Sequence, residues 1–479
     1  MSSIAHFRSK LPMGTQENKP FLVDRKDIVF VKPSKTIPQE ILLLSSIDND
    51  PTSEYHGQTI QVYRSNDFES SRDPVCLIKE ALSKVLVFYY PLAGKLKRFE
   101  SDGRLRLCCN AGDGVPFLEA GANCKLSSLH YLEGIDISVA KHLVFDPPNC
   151  HTDGDGGGNY YSPLLIQLTR FSCGGFTIGM SLSHSVCDGY GAAQFFGALT
   201  EVASGKSEPT VKPVWERHRL SASTPEEPVN PFGDKDSLAT SPHLPASDIV
   251  HEFFNVSSER IKRLKEALMI TNGNADKVVS NESYTSFEVL GAYLWRAKFR
   301  ALEMNLDGYN VLSFTKSIRH HLTPPLPDGY YGNSFADSNV IMTGRDLTEG
   351  PLSRVVKMIK SNKSVSFNNE SIMTLLRNKE WLVEQKVKSR EARGAWTFLT
   401  DWRQLGLIGE VDFGWKASVN MIPLPFDCHG FIDLCILMNP CSLDFSMKGG
   451  ARVFVSFPRA CMAKFKEEIE VLRRKRLRF

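Results

Sequence analysis

His184-Ser185-Val186-Cys187-Asp188-Gly189 sets an imidazole and a carboxylate four positions apart on what reads as a strand-to-helix turn. Imidazole is the side chain whose ordinary pKa lies nearest cellular pH, so it can take a proton in a transition state and return it to a leaving group. Acyl transfer to a hydroxyl or an amine needs that service, because an alcohol is too weak an acid to ionise beforehand. Taken alone the spacing is common, and a lone histidine is most often a packing or surface residue. A second motif, Asp412-Phe413-Gly414-Trp415-Lys416, lies near the C-terminal end. Its Asp-Phe-Gly also occurs in protein kinases, but no Gly-x-Gly-x-x-Gly loop, Val-Ala-Ile-Lys strand or His-Arg-Asp loop precedes it. A metal hydrolase using His184 and Asp188 would need a third ligand at recognisable spacing, and none is present.

The elements that must hold His184 can be read around it. Leu164 to Arg170 and Phe176 to Ser183 are β-like runs either side of Cys173-Gly174-Gly175, which predicts a hairpin ending just before the histidine. Ala192, Phe195, Phe196, Leu199 and Val202 then recur at helical spacing as far as Gly205. Earlier, Val75, Leu77, Ile78, Ala81, Leu82, Val85 and Leu86 predict a helix that Pro91 and Gly94 stop. Thr285-Ser286-Phe287-Glu288 has capping-box form and starts another. Asp146 to Asn159 reads as a loop. Residues 204–248 carry seven prolines and form the best connector between a first unit, 1–203, and a last, 249–479. The pattern is mixed α/β.

Composition bounds the rest. A chain of 479 residues divides into two or more compact units. The 57 basic and 54 acidic residues give no net field that would select nucleic acid or an anionic membrane. The run from Arg473 to Arg478 reads as a solvated helix end. No apolar stretch reaches the roughly 18 residues that a membrane-spanning helix requires, and no secretory signal is seen, so a cytoplasmic protein is expected. Eleven cysteines without a Cys-x-x-Cys pair read as reduced packing residues rather than a disulfide framework or zinc site. No Walker-type phosphate loop is present, so ATP is not implied.

Taken together, the two motifs resemble those of the plant BAHD acyltransferase family, His-x-x-x-Asp-Gly and Asp-Phe-Gly-Trp-Gly. Phe88 to Leu96, Arg319 within Ser317 to His321, and Tyr330-Tyr331-Gly332-Asn333 match further family segments, and residues 204–248 match its crossover loop. One position departs from the pattern: Lys416 stands where the family has glycine. The resemblance implies two chloramphenicol-acetyltransferase-like α/β domains with mixed sheets and a solvent channel between them. Donor and acceptor would enter from opposite faces and meet at His184 without a covalent acyl-enzyme.

In that reading His184 is the general base and the acyl donor is a coenzyme A thioester. Asp188 turns away from the site to pair with Arg319, and Gly189, Gly414 and Trp415 support the architecture. Asp412 stands beside His184 as a catalytic candidate, with a chiefly structural role expected. Thr400 and Trp402 are candidate donors to the developing oxyanion or to substrate, and Lys277, Ser286 and Lys416 are candidates for the coenzyme phosphates. The expected protein is a monomer that needs no metal or permanent cofactor. Its acceptor is a small-molecule alcohol, with an amine as the alternative. A catalytically silent, small-molecule-binding member of the same fold is the competing reading.

Overall fold

The computed structural model describes residues 21–65, 73–145, 160–223, 237–270, 283–384, 394–406, 413, 418–424 and 434–471. Lys277, Asp412, Gly414, Trp415 and Lys416 lie outside them, as do the Asp146 to Asn159 segment and the run from Arg473 to Arg478.

Among the described residues two large mixed sheets and one small sheet carry the fold. The first runs in the order Val23–Arg25, Val115–Ala122, Leu164–Phe171, Phe176–Ser183, His56–Tyr63 and Asn420–Leu424, with Val29–Val31 also on Val115–Ala122. The second runs Ile249–Val256, Ala451–Pro458, Leu434–Met438, Trp396–Asp401, Tyr309–Ser317 and Phe335–Thr343. Each contains parallel and antiparallel pairs. The expected division at residue 249 is therefore not respected by the sheets, since Asn420–Leu424 hydrogen-bonds to His56–Tyr63 in the first.

The hairpin forms as predicted, Phe176–Ser183 pairing antiparallel with Leu164–Phe171. Alternation along its second strand decides where each side chain goes. Phe176, Ile178, Met180 and Leu182 join a core with the helices Pro74–Val85 and Gly189–Ala203. Val75, Ile78, Ala81, Leu82 and Val85 on the first helix face Phe195, Phe196, Leu199 and Val202 of that core. Burying each such side chain is worth about 1.5–3 kcal/mol, so the contact fixes the helix that follows His184. The two sheets meet through Ile60, Val62, Ile422 and Leu424 on one and Ile436, Met438 and Phe454 on the other. A separate core joins the second sheet to the helices Ser286–Ala301 and Leu352–Ser364.

Thr285 caps the helix Ser286–Ala301 with the reciprocal Glu288 bond that its capping box predicted. The crossover segment departs from a plain connector. Its residues Arg217 and Leu220 are fully buried, and Val214 forms a bridge with Tyr330. Its middle, residues 224–236, lies outside the described part.

Gly191, in the first turn of Gly189–Ala203, allows the Tyr331 carbonyl to approach so closely that a Cβ there would sit 2.0 Å from its oxygen. Alanine at an open helical position gains about 1 kcal/mol over glycine. Here the sign should invert, and Gly191→Ala is expected to lower the thermal midpoint; a rise would contradict this packing.

Candidate active site

His184 leaves the end of Phe176–Ser183 and its backbone N–H donates to the Tyr55 carbonyl at 2.8 Å, continuing the ladder with His56–Tyr63. Val186 N–H then donates back to the Ser183 carbonyl at 3.0 Å and closes the turn. Above the turn the imidazole meets Tyr55 at a ring-centre distance of 5.0 Å and Phe335 edge-on at 6.0 Å. The residue is half-buried while its Nδ1 is fully buried, so its accessible surface lies on other atoms. Burial pushes the imidazole below its ordinary value of 6.5, against the opposing fields of Asp188, Asp48 and Asp50 and its own carbonyl. It is thus held as a neutral ring, the state a general base requires.

Asp188 is the N-cap of the helix Gly189–Ala203. One carboxylate oxygen accepts from Gly191 N–H at 2.9 Å and the other from Ser334 N–H at 3.2 Å. Arg319 Nη2 stands 3.6 Å from it. The same guanidinium donates to the carbonyls of Tyr330 and Gly332 and lies over the Tyr190 ring at 4.2 Å. These partners place Asp188 on the supporting side of the turn.

The strand Trp396–Asp401 carries Thr400 opposite Ile436 in parallel register, and Trp402 N–H donates to the Leu437 carbonyl at 2.8 Å. Asp401, between them, holds Arg403 by two bonds of 2.8 and 2.6 Å. The following turn reaches the histidine loop: a Cβ on Gly189 would lie 2.8 Å from Leu405 Cδ1. Trp402 and Leu405 are half-buried against the core that contains the helix Gly189–Ala203. Phe413 is buried and meets Tyr63 edge-on at 5.7 Å, inside the core of the first half. Ser286 occupies the first position of its helix, where Lys363 Nζ pairs with Glu288 at 3.1 Å and Lys360 Nζ donates to the Ser283 carbonyl at 3.1 Å. The sequence reading passed over these two lysines.

It also passed over Asp48, Arg217 and the role of Asn333, all buried beneath the turn. The one signal for Asp48 was a single charge closing the apolar and hydroxyl run Leu42 to Ile47. Among the described residues no group of three His, Cys, Asp or Glu is placed to hold a metal ion, and no helix is long and apolar enough to cross a membrane.

The turn, hairpin and facing sheets define a two-sheet acyltransferase architecture, which three comparisons carry further. A model of the Transferase family matches residues 22–472. Two Arabidopsis thaliana proteins are similar throughout. Spermidine sinapoyl-CoA acyltransferase is 41% identical over 96% of this chain and 100% of its own length. Spermidine coumaroyl-CoA acyltransferase is 42% identical over 95% and 96%. Taxadien-5-alpha-ol O-acetyltransferase of Taxus chinensis is 32% identical over 95% of this chain and 97% of its own length. The crystal structure of vinorine synthase superimposes with a TM-score of 0.70 at 20% identity, covering 92% of this chain and 96% of that one. The chain belongs to the Transferase family, the plant BAHD acyltransferases, and is an acyltransferase with their mixed α/β fold.

Two outcomes follow from the geometry. Asp188→Ala removes a cap and leaves Arg319 facing an empty place, so a stability loss of about 2–4 kcal/mol is expected in denaturant unfolding; a change below about 0.5 kcal/mol would contradict the assigned contacts. Because the folded-state imidazole is depressed, the neutral base is lost only as pH falls through a value below 6.5. With an acceptor that does not itself titrate in this range, the acid limb of kcat/KM should accordingly have its midpoint below 6.5, whereas an unperturbed ring would be half protonated at about that pH. A midpoint above 6.5 would contradict a buried neutral base.

Proposed function

We propose that the protein transfers an acyl group from a coenzyme A thioester to an amine of a polyamine, with His184 as the general base. The observation that carries the chemistry is the single imidazole kept neutral by burial, half-open at the turn between the two sheets. As the acceptor nitrogen attacks the thioester carbonyl, the ring takes its proton. When the tetrahedral intermediate collapses the C–S bond breaks, and the proton passes to the departing thiolate. A positioned base contributes about 10²–10⁴-fold. Thr400 and Trp402 are proposed as donors to the oxyanion, a contribution of about 2.7–4 kcal/mol for one such bond. The start of the helix Ser286–Ala301, with Lys360 and Lys363 beside it, is the proposed region for the coenzyme phosphates, to which Lys277 and Lys416 remain candidates from the sequence. Asp412 is proposed as a structural residue.

An amine acceptor is favoured over the alcohol expected from sequence because the two Arabidopsis thaliana relatives, at 41% and 42% identity, are named for spermidine. A hydroxycinnamoyl donor is favoured for the same reason. Chemistry separates the alternatives. A primary amine with a pKa near that of lysine, about 10.4, attacks only when unprotonated, so its kcat/KM should climb roughly tenfold per pH unit above neutrality. Coumaroyl-CoA with spermidine is expected to release thiol and yield an N-acyl product by mass spectrometry, while His184→Ala should lose at least about 100-fold. Product formed only with benzyl alcohol, on a flat alkaline limb, would return the acceptor to an alcohol. Thiol release untouched in His184→Ala would remove the base.

A further inference from the structure

The crossover segment delivers one arginine into the interior, and its surroundings are built for it. Arg217 and Asp48 are almost fully buried and form an ion pair at 3.1 Å. The guanidinium lies over the rings of Trp215 at 4.2 Å, Tyr331 at 5.0 Å and Tyr330 at 5.3 Å. A Cβ on Gly332 would fall 1.5 Å from its Nη1, so only glycine leaves room for it. A charge placed this deeply is costly unless it is paired, which makes the partners of its two Nη atoms informative; Nε, also buried, has no hydrogen-bond partner.

Those partners are the Asp48 carboxylate, through Nη1, and the backbone of the histidine turn, through Nη2. Arg217 Nη2 donates to the Val186 carbonyl at 2.7 Å. Asp48 also accepts from Asn333 Nδ2 at 2.7 Å, from Asn333 N–H at 3.3 Å and from Ser45 N–H at 3.1 Å. The same Asn333 amide donates its second hydrogen to the carbonyl of His184 itself, at 2.6 Å. Two carbonyls of the turn, those of His184 and Val186, are thus pinned from below by groups that converge on one carboxylate. Arg217 and Asn333 reach the backbone carbonyls of the turn and not the imidazole, so any influence on catalysis runs through the backbone that aims the ring.

We propose that Asp48, Arg217 and Asn333 are positioning residues that fix the orientation of His184, and that the crossover segment is a part of the active site rather than a tether. This rests on His184 being the base. An orienting network acts on the rate of the bound complex, since misplacing a reacting group by about 1 Å can cost about 100-fold without weakening binding. A network that merely stabilises the fold would affect activity only through the amount of folded protein.

The test removes the charges as a pair. Arg217→Met alone strands a buried carboxylate and is expected to be poorly soluble, whereas Asp48→Asn combined with Arg217→Met leaves no unpaired charge and should recover folding. In that double variant Val186 still lacks its donor. With coumaroyl-CoA and spermidine, its kcat is expected to fall about 10- to 100-fold while KM for the thioester stays within about twofold of wild type. Recovery of kcat along with the thermal midpoint would overturn the proposal, as would a raised KM at unchanged kcat. Should the double variant remain insoluble, Arg217→Lys, which keeps the charge but not the fork that spans Asp48 and Val186, should show the same fall in kcat; a value within about threefold of wild type would overturn the proposal. A wild type with no turnover would strike at the proposed substrates instead. The positioning claim then rests on NMR of histidine-labelled protein: the His184 ring signal is expected to be single in wild type and shifted or broadened in the folded variant, and an unchanged signal would refute it.

Discussion

A turn that carries the proposed general base between two sheets has to have every charge beneath it answered, and this requirement organises the molecule. Three carboxylates surround the His184 turn from the first half of the chain: Asp48, Asp50 and Asp188. Each is met by a cation arriving from the crossover segment or the last half: Arg217, Lys379 and Arg319 respectively. Leaving any one of them unpaired would cost several kcal/mol, so the halves must be joined for the turn to be stable. The proposed base and its surroundings are in this way assembled by the same contacts.

The sheets reinforce that arrangement. Asn420–Leu424 crosses back to complete the first sheet beside His56–Tyr63, and the strand Phe176–Ser183 on the other side of His56–Tyr63 ends at the histidine. The apolar contact of Ile60, Val62 and Ile422 with Ile436, Met438 and Phe454 then sets how the second sheet faces the first. Thr400 and Trp402 stand at the end of a strand in that second sheet, and Leu405 touches the histidine loop at Gly189. Bringing donor and acceptor together against one such rigid constellation lowers the entropic part of the barrier.

Local patterns were legible in the sequence and long-range pairings were not. Alternation between Leu164 and Ser183 gave the hairpin, the spacing of Val75 to Val85 gave its covering helix, and Thr285 with Glu288 gave the capping box. His184, Asp188 and Arg319 were singled out by their motifs, and the turn that carries His184 was placed correctly. Asp48 and Arg217 escaped because they lie 169 positions apart and no periodicity links them. Asn333, 285 positions from Asp48, was read as part of a motif without a task. Four of the seven prolines of residues 204–248, Pro209, Pro213, Pro242 and Pro245, lie among the described residues, on irregular backbone. They said nothing of burial, because Arg217 and Leu220 are buried by contacts with distant parts of the chain that no local pattern announces. For the same reason a boundary drawn at residue 249 missed the strand that returns to the first sheet.

The central claim is that one neutral imidazole meets both substrates at this turn. Its most direct test is a crystal structure of the protein with a non-hydrolysable coumaroyl-CoA analogue and spermidine together. An acceptor nitrogen is expected within hydrogen-bonding reach of His184 Nε2, about 3 Å, with the carbonyl carbon of the analogue beside that nitrogen. An acceptor or thioester bound away from His184, with the ring covered by protein on every side, would contradict it.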